Sequence, residues 1–254
     1  MSVSAPALNE PLMQIRNLSK SFGGVTAVDN VTMDLRSGIV TTLVGPNGAG
    51  KTTFFNLITG NLARDSGEVT WLGNDIAGVS PHRIARMGVM RTYQDLRLFD
   101  GMTVLENTLN ATEFNALPLP MSRTARRRRQ ERIDEVLERT GLADKRNTRA
   151  IDLAYAERKF LSLARIMATQ ARLWLLDEPA SGLDPNSYDR FLTILREDVA
   201  KGVTVCIIEH NLDIVIGISD RIAFLDRGKL LADGDPQSVL DDPELAKIYF
   251  GDRA

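Results

Sequence analysis

Gly45-Pro46-Asn47-Gly48-Ala49-Gly50-Lys51-Thr52 decides the fold. It fits the pattern G-x-x-x-x-G-K-[ST] in full. Ile39–Val44 before it is an apolar, β-branched run that reads as a buried strand. Phe54, Phe55, Leu57 and Ile58 after it recur as one face of a helix. Strand, glycine-rich turn and helix in that order are the context the pattern requires. The glycines let the backbone curl so that successive N–H groups point inward at phosphate oxygens. The positive end of the following helix adds to that field. Lys51 places a mobile cation near the β and γ phosphates of a nucleotide, and the Thr52 hydroxyl can ligate Mg²⁺.

A second stretch completes the chemistry. Leu173-Trp174-Leu175-Leu176-Asp177-Glu178 is an apolar strand that ends in two acids. In a parallel sheet the carboxyl end of a strand faces the ligand crevice. Asp177 there can hold Mg²⁺ through its water, and Glu178 can orient or deprotonate an attacking water. Two acids after a strand are common; beside a phosphate loop they specify nucleotide hydrolysis.

Outward from these stretches, Leu12–Leu18 and Val25–Leu35 alternate as strands, and Gly38 turns the chain into Ile39–Val44. The first dozen residues lack periodicity and read as a loose leader. From Gln94 to Ala168 the character changes: Arg123–Gly141 carries Ile133, Val136 and Leu137 at helical spacing, and Leu153–Ala168 is a second helical stretch. Short apolar strands return at Leu173–Leu176 and Val203–Ile208, separated by the helical pattern of Asn186–Ala200. Strands alternating with helices imply a parallel sheet. Cys206, the single cysteine, reads as a small core residue of a strand. Arg126–Arg129 is followed by Glu131, Asp134, Glu135 and Glu138 at helical spacing, the pattern of a solvated face. Hydrophobic residues are 43% and charged residues 25%, ordinary for a globular chain, and a net charge of −2 gives no whole-molecule attraction to nucleic acid. No stretch of 18 apolar residues and no export signal is seen, so the expected location is cytosolic, with any membrane link made by a partner.

Together these residues resemble the nucleotide-binding subunits of ABC transporters, from about Leu12 to Gly251. The resemblance is most specific in Leu176-Asp177-Glu178-Pro179 followed by Ser181-Gly182-Leu183-Asp184, an acid-pair strand and then a D-loop. It implies an α/β fold: a phosphate-loop (RecA-like) parallel sheet core with an N-terminal antiparallel β portion and a helical subdomain. A single ABC ATPase domain is expected over 12–254, with 12–94 and 169–254 as the sheet lobe and 95–168 as the mostly helical lobe. The cofactors implied are ATP and Mg²⁺. Phe22 matches the aromatic that stacks on adenine. Gly45, Pro46, Asn47, Gly48, Ala49, Gly50, Lys51, Thr52 and Thr53 form the phosphate cradle. Gln94, in Arg91-Thr92-Tyr93-Gln94, matches the Q-loop glutamine that touches Mg²⁺ and links the two lobes to the membrane partner. Thr52, Gln94 and Asp177 are then the metal positions. His210, after the last core strand, matches the switch histidine at the γ-phosphate, and Glu178, His210 and Lys51 carry hydrolysis. Asp184 matches the D-loop aspartate at a dimer interface.

One motif departs from the family. A Leu-Ser-Gly-Gly-Gln-like signature opens a helix and closes over the partner's ATP. Here the stretch reads Leu153-Ala154-Tyr155-Ala156-Glu157. Ala154 lacks the hydroxyl, at an expected cost of about 2–3 kcal/mol. Ala156 puts a methyl in a glycine slot, costly if φ is positive and cheap if it is helical. The signature serves the opposite site, so an asymmetric heterodimer with a second ATPase subunit is expected, a homodimer being the alternative.

Arg97-Leu98-Phe99, Met102–Asn107, Glu209-His210-Asn211, Gly217–Ile222 and Tyr249-Phe250-Gly251 are similar to the ATPases of branched-chain amino-acid importers. That group implies integral-membrane permease subunits, an extracytoplasmic solute-binding protein, and a place on the cytoplasmic face of the inner or plasma membrane. Urea or amide importers and the lipopolysaccharide-transport ATPase are alternatives within the family. A soluble ABC ATPase of translation or DNA repair fits less well, because there is one phosphate loop and no sustained heptad. An ATP-holding regulatory subunit fits less well because Glu178 and His210 are intact.

Overall fold

The computed structural model describes residues 10–113 and 122–250. Most of the leader read at the N-terminus, and Gly251 of the Tyr249-Phe250-Gly251 stretch, lie outside the described residues. The chain opens with a long hairpin, β1 (Pro11–Phe22) and β2 (Val25–Arg36). The alternation of β1 buries Met13 and Ile15 on one face, as a half-covered antiparallel strand requires. β3 (Val40–Val44) is buried at every position and leads through the glycine-rich turn into α1 (Lys51–Ile58). β4 (Ser66–Trp71), β5 (Asn74–Asp75), α2 (Pro81–Arg86) and β6 (Val89–Arg91) follow. Then come the helices α3 (Val104–Glu113), α4 (Arg123–Arg139) and α5 (Tyr155–Thr169). The remainder alternates: β7 (Leu173–Asp177), α6 (Pro185–Ala200), β8 (Thr204–Ile208), α7 (Leu212–Ile218), β9 (Arg221–Asp226), β10 (Lys229–Gly234), α8 (Pro236–Leu240) and α9 (Pro243–Phe250).

Two sheets result. One is antiparallel, in the order β2-β1-β4-β5; the other runs β10-β9-β3-β8-β7-β6. In the second, β9, β3, β8, β7 and β6 are mutually parallel and only β10 pairs antiparallel. This order places the carboxyl ends of β3, β8 and β7 side by side, so the phosphate loop, His210 and the Asp177-Glu178 pair emerge along one edge. β7 shows why its sequence is continuously apolar. Leu173 and Leu175 face a core shared with α1 and the antiparallel sheet, while Trp174 and Leu176 face a second core under α5 and α6. Cys206 is fully buried in β8, where burial pushes its thiol pKa up, so it is a packing residue.

Helix starts follow their chemistry. Asp184 caps α6, its carboxylate accepting from the Asn186 and Ser187 N–H groups at 3.1 Å, with Pro185 in the first turn. On α4, Arg126, Arg127 and Arg128 are exposed and Arg127 pairs with Glu131 at 2.7 Å, a solvated face. Arg129 instead reaches across to α3, donating to Thr112 Oγ1 at 2.5 Å and the Leu109 carbonyl at 2.8 Å.

Candidate active site

The phosphate loop owes its path to two glycines. Gly45 has φ +144°, and a Cβ there would lie 1.9 Å from the Leu225 carbonyl oxygen. Gly50 has φ +99°, and a Cβ would lie 2.1 Å from the Ala27 carbonyl oxygen. Neither position has room for a side chain, which is why this bend needs glycine. Lys51 opens α1, and its ammonium folds back onto the loop, donating to the carbonyls of Gly45 at 2.7 Å and Pro46 at 2.9 Å. Burial lowers its pKa, and the charges of Glu178 and Asp177 oppose that shift. Thr52 is exposed and Thr53 half-buried behind it.

Glu178 sits one residue past β7 in a left-handed conformation, φ +48°. For a residue with a Cβ this costs on the order of 1–2 kcal/mol. Both of its main-chain groups are tied down. Its N–H donates to the Ile208 carbonyl at 3.0 Å, and its carbonyl accepts from Lys159 Nζ at 2.8 Å. The carboxylate is held at both oxygens: His210 Nε2 lies 2.8 Å from Oε1, and Gln94 Nε2 donates to Oε2 at 3.2 Å. An ionised carboxylate only accepts, so with Glu178 charged it is His210 Nε2–H that donates. Three segments far apart in sequence thus converge on one carboxylate, on the edge where the phosphate loop emerges.

Asp177 is paired with Arg91 at 3.1 Å, with side chains 3% and 4% exposed. Arg91 comes from the end of β6 and also donates to Asn56 Oδ1 of α1 at 2.6 Å, while its guanidinium stacks over the rings of Tyr93 and Phe55. Burial raises the Asp177 pKa despite this partner. Behind Glu178 lies Glu209, buried, accepting from the Ala180 N–H at 3.1 Å, its pKa pushed up by burial to about 7. Lys159, itself buried and with a lowered pKa, faces both acids. None of Arg91, Lys159 and Glu209 was singled out from sequence. Arg91 stood in the Gln94 motif and Glu209 beside His210, but their partners are set by the fold.

The other candidate positions lie around this centre. Phe22 is 47% exposed at the end of β1, with Lys20 Nζ 5.4 Å from its ring centroid, an open π face. The departing signature opens α5. Ala154 is the N-cap and offers no side-chain acceptor, while the Glu157 carboxylate accepts from the Ala154 N–H at 2.9 Å and pairs with Lys145. Ala156 lies within α5 and is not among the residues of positive φ, so its methyl brings no backbone strain. Tyr155 is 55% exposed beside it. α5 also fastens the segment after Gln94, through Arg165 Nη1 to the Arg97 carbonyl at 2.8 Å and Arg158 to Asp100 at 2.7 Å.

The comparisons decide the family. The ABC transporter family model matches residues 28–181. The high-affinity branched-chain amino acid transport ATP-binding protein LivG of Salmonella typhimurium is 39% identical over 96% of this chain and 100% of its own length. The chain belongs to the ABC transporter family. BraF of Pseudomonas aeruginosa, a protein of the same description, is 38% identical over 96% of this chain and 100% of its own. Among solved structures, the ADP conformation of MJ1267, an ATP-binding cassette of an ABC transporter, superposes with a TM-score of 0.83 at 31% identity, covering 95% of this chain and 99% of that one. As an ABC ATPase, this chain binds ATP and couples its hydrolysis to transport. Among its described residues no helix is long and apolar enough to cross a membrane.

The donors present suit Mg²⁺. Thr52, Gln94 and Asp177 offer hydroxyl, amide and carboxylate oxygens, the hard donors this ion takes. Among the described residues there is no group of three or more His, Cys, Asp and Glu side chains that could hold a metal alone.

Proposed function

We infer that this chain is the ATPase subunit of an importer for branched-chain amino acids, working with Mg²⁺-ATP on the cytoplasmic face of the membrane. The single observation that carries the hydrolytic reading is the Glu178 carboxylate, held at both oxygens by His210 and Gln94 beside the phosphate loop. ATP would lie with its adenine on Phe22 and its phosphates in the Gly45–Thr53 loop. Lys51 would leave the loop carbonyls for the β and γ phosphates. Mg²⁺, held through Thr52, Gln94 and Asp177, would neutralise phosphate charge. Glu178 accepts a proton from the attacking water, and His210 fixes the carboxylate toward it.

The signature supports a heterodimer. With Ala156 helical, the deficit reduces to the missing hydroxyl at Ala154, while the first N–H groups of α5 would still be offered to a partner's phosphate. A second, different ATPase would meet that deficit at its own ATP and lend this chain a complete signature. Asp184 and Tyr155 would lie at that interface. The lobes would be 12–94 with 169–254, and 95–168. Closure would pass through Gln94 and the segment clamped to α5 to permease subunits, with a solute-binding protein outside.

The solute follows the relatives matched over their whole length. The test is leucine uptake into proteoliposomes carrying this chain with its permease subunits, second ATPase and binding protein. ATP-dependent leucine accumulation, abolished by Lys51→Ala, is expected. Uptake of urea or an amide with no leucine uptake would contradict the solute assignment.

A further inference from the structure

A second recess lies away from the nucleotide edge, at the amino end of β7 between α4 and α6. It holds about 530 Å³, within the range of small-molecule sites. Arg172 immediately precedes β7 and Trp174 lies two residues on, so both side chains leave the same face of the strand. Three N–H groups on its lining side chains have no acceptor among the described residues: Trp174 Nε1, Arg172 Nη1 and Arg139 Nε. Trp174 is 2% exposed, so its indole N–H cannot turn to bulk solvent. An indole nitrogen only donates, and a buried donor left unpaired is costly.

The charges point the same way. Arg132, Arg139, Arg172 and Lys201 line the recess against two carboxylates, Glu135 and Asp198. Asp198 pairs with Arg139 at 2.8 Å and lies 4.0 Å from Lys201, Arg139 also pairs with Glu197 at 3.0 Å, and Glu135 is exposed. The recess therefore presents unpaired donors, and in Arg172 a cation with no ion pair among the described residues, to whatever enters it.

We propose that this recess binds a small oxyanion, a carboxylate or phosphate group, which accepts hydrogen bonds from the Trp174 indole N–H and the Arg172 guanidinium. The ligand would sit at the amino end of β7, whose other end carries Asp177 about 10 Å away at roughly 3.3 Å per residue. It is a site distinct from the phosphate loop.

Trp174 is its own reporter. The chain has two tryptophans, and the other, Trp71, already donates to the Met87 carbonyl at 3.0 Å. The experiment follows both indole ¹H–¹⁵N resonances of the full chain carrying Lys51→Ala, which weakens phosphate binding at the loop. Sodium phosphate and sodium acetate are titrated separately, with sodium chloride as the ionic-strength control. The Trp174 resonance should move saturably at millimolar phosphate or acetate while Trp71 stays still. Arg172→Gln should weaken that binding at least tenfold. Lys201→Gln, at a side chain 58% exposed and tolerant of change, should weaken it about threefold. Saturation by acetate assigns the site to carboxylates, by phosphate to phosphates, and both support the proposal. A Trp174 shift no larger than with chloride, or one that never saturates, overturns it and leaves water as the acceptor.

Discussion

Arg91→Met removes the guanidinium that faces Asp177 and keeps much of the stem's bulk. The pair is almost wholly buried, and Arg91 is also the donor to Asn56. Breaking a buried pair from one side costs about 3–5 kcal/mol, because the remaining charge has no compensation. In a chain of this size about 2–4 °C of Tm accompanies each kcal/mol, so Tm should fall by about 10 °C. The loss should depend on pH with a definite sign. Burial already raises the Asp177 pKa, and removing Arg91 raises it further. A group with a raised native pKa favours the fold below its unfolded value and loses that contribution as pH rises through the native one. The variant should therefore be hurt more at pH 8 than at pH 5. Urea unfolding at both values measures this, and Asp177→Asn in the same chain should recover more than half the loss at pH 8. A loss below about 1 kcal/mol, or no recovery in the double variant, would refute the view that this pair is a strongly coupled buried unit.

Other outcomes follow from the same geometry. Glu209, held near a pKa of about 7 by burial, should make the protein less stable as pH climbs from 5 to 8; Glu209→Gln should flatten that slope in thermal melts, and an unchanged slope would contradict the assignment. Lys159 holds the carbonyl of Glu178 without touching the phosphate loop, so Lys159→Met should lower kcat about tenfold with KM for ATP little changed, and Lys159→Arg should restore part of it; a rise in KM alone would count against a positioning role. Gly50→Ala forces a methyl into the Ala27 carbonyl and should cost about 1–3 kcal/mol and most ATP affinity, whereas Gly48→Ala, with open space around its Cβ, meets only the backbone strain of φ +81° and should retain the fold with a milder loss; equal melting curves for the two would be inconsistent with the loop's geometry.

Local signals made much of this readable from sequence. The phosphate loop and the acid pair are each contiguous in sequence, and each is preceded by an apolar run that reads as a buried strand. α6 was legible from its pattern, though Asp184 now has a second task, since the carboxylate expected at a dimer face caps its own helix. What escaped was long-range. β6 has three residues and no periodicity to detect. Arg91 finds Asp177 86 positions away, a pairing set by the β6–β7 register and not by spacing. Lys159 looked like any cation on an amphipathic helix until α5 packed it against the turn after β7. The signature question turned on backbone conformation, which sequence left open at Ala156 and the helix resolves.

The most direct test of the central claim is single-turnover hydrolysis of ATP by Glu178→Gln in the assembled transporter, with ATP binding measured on the same sample. Removing a general base costs about 10²–10⁴-fold. ATP affinity within about threefold of the parent, with hydrolysis at least a hundredfold slower, is the predicted result. Hydrolysis retained above about a tenth of the parent rate would contradict it and move the base elsewhere.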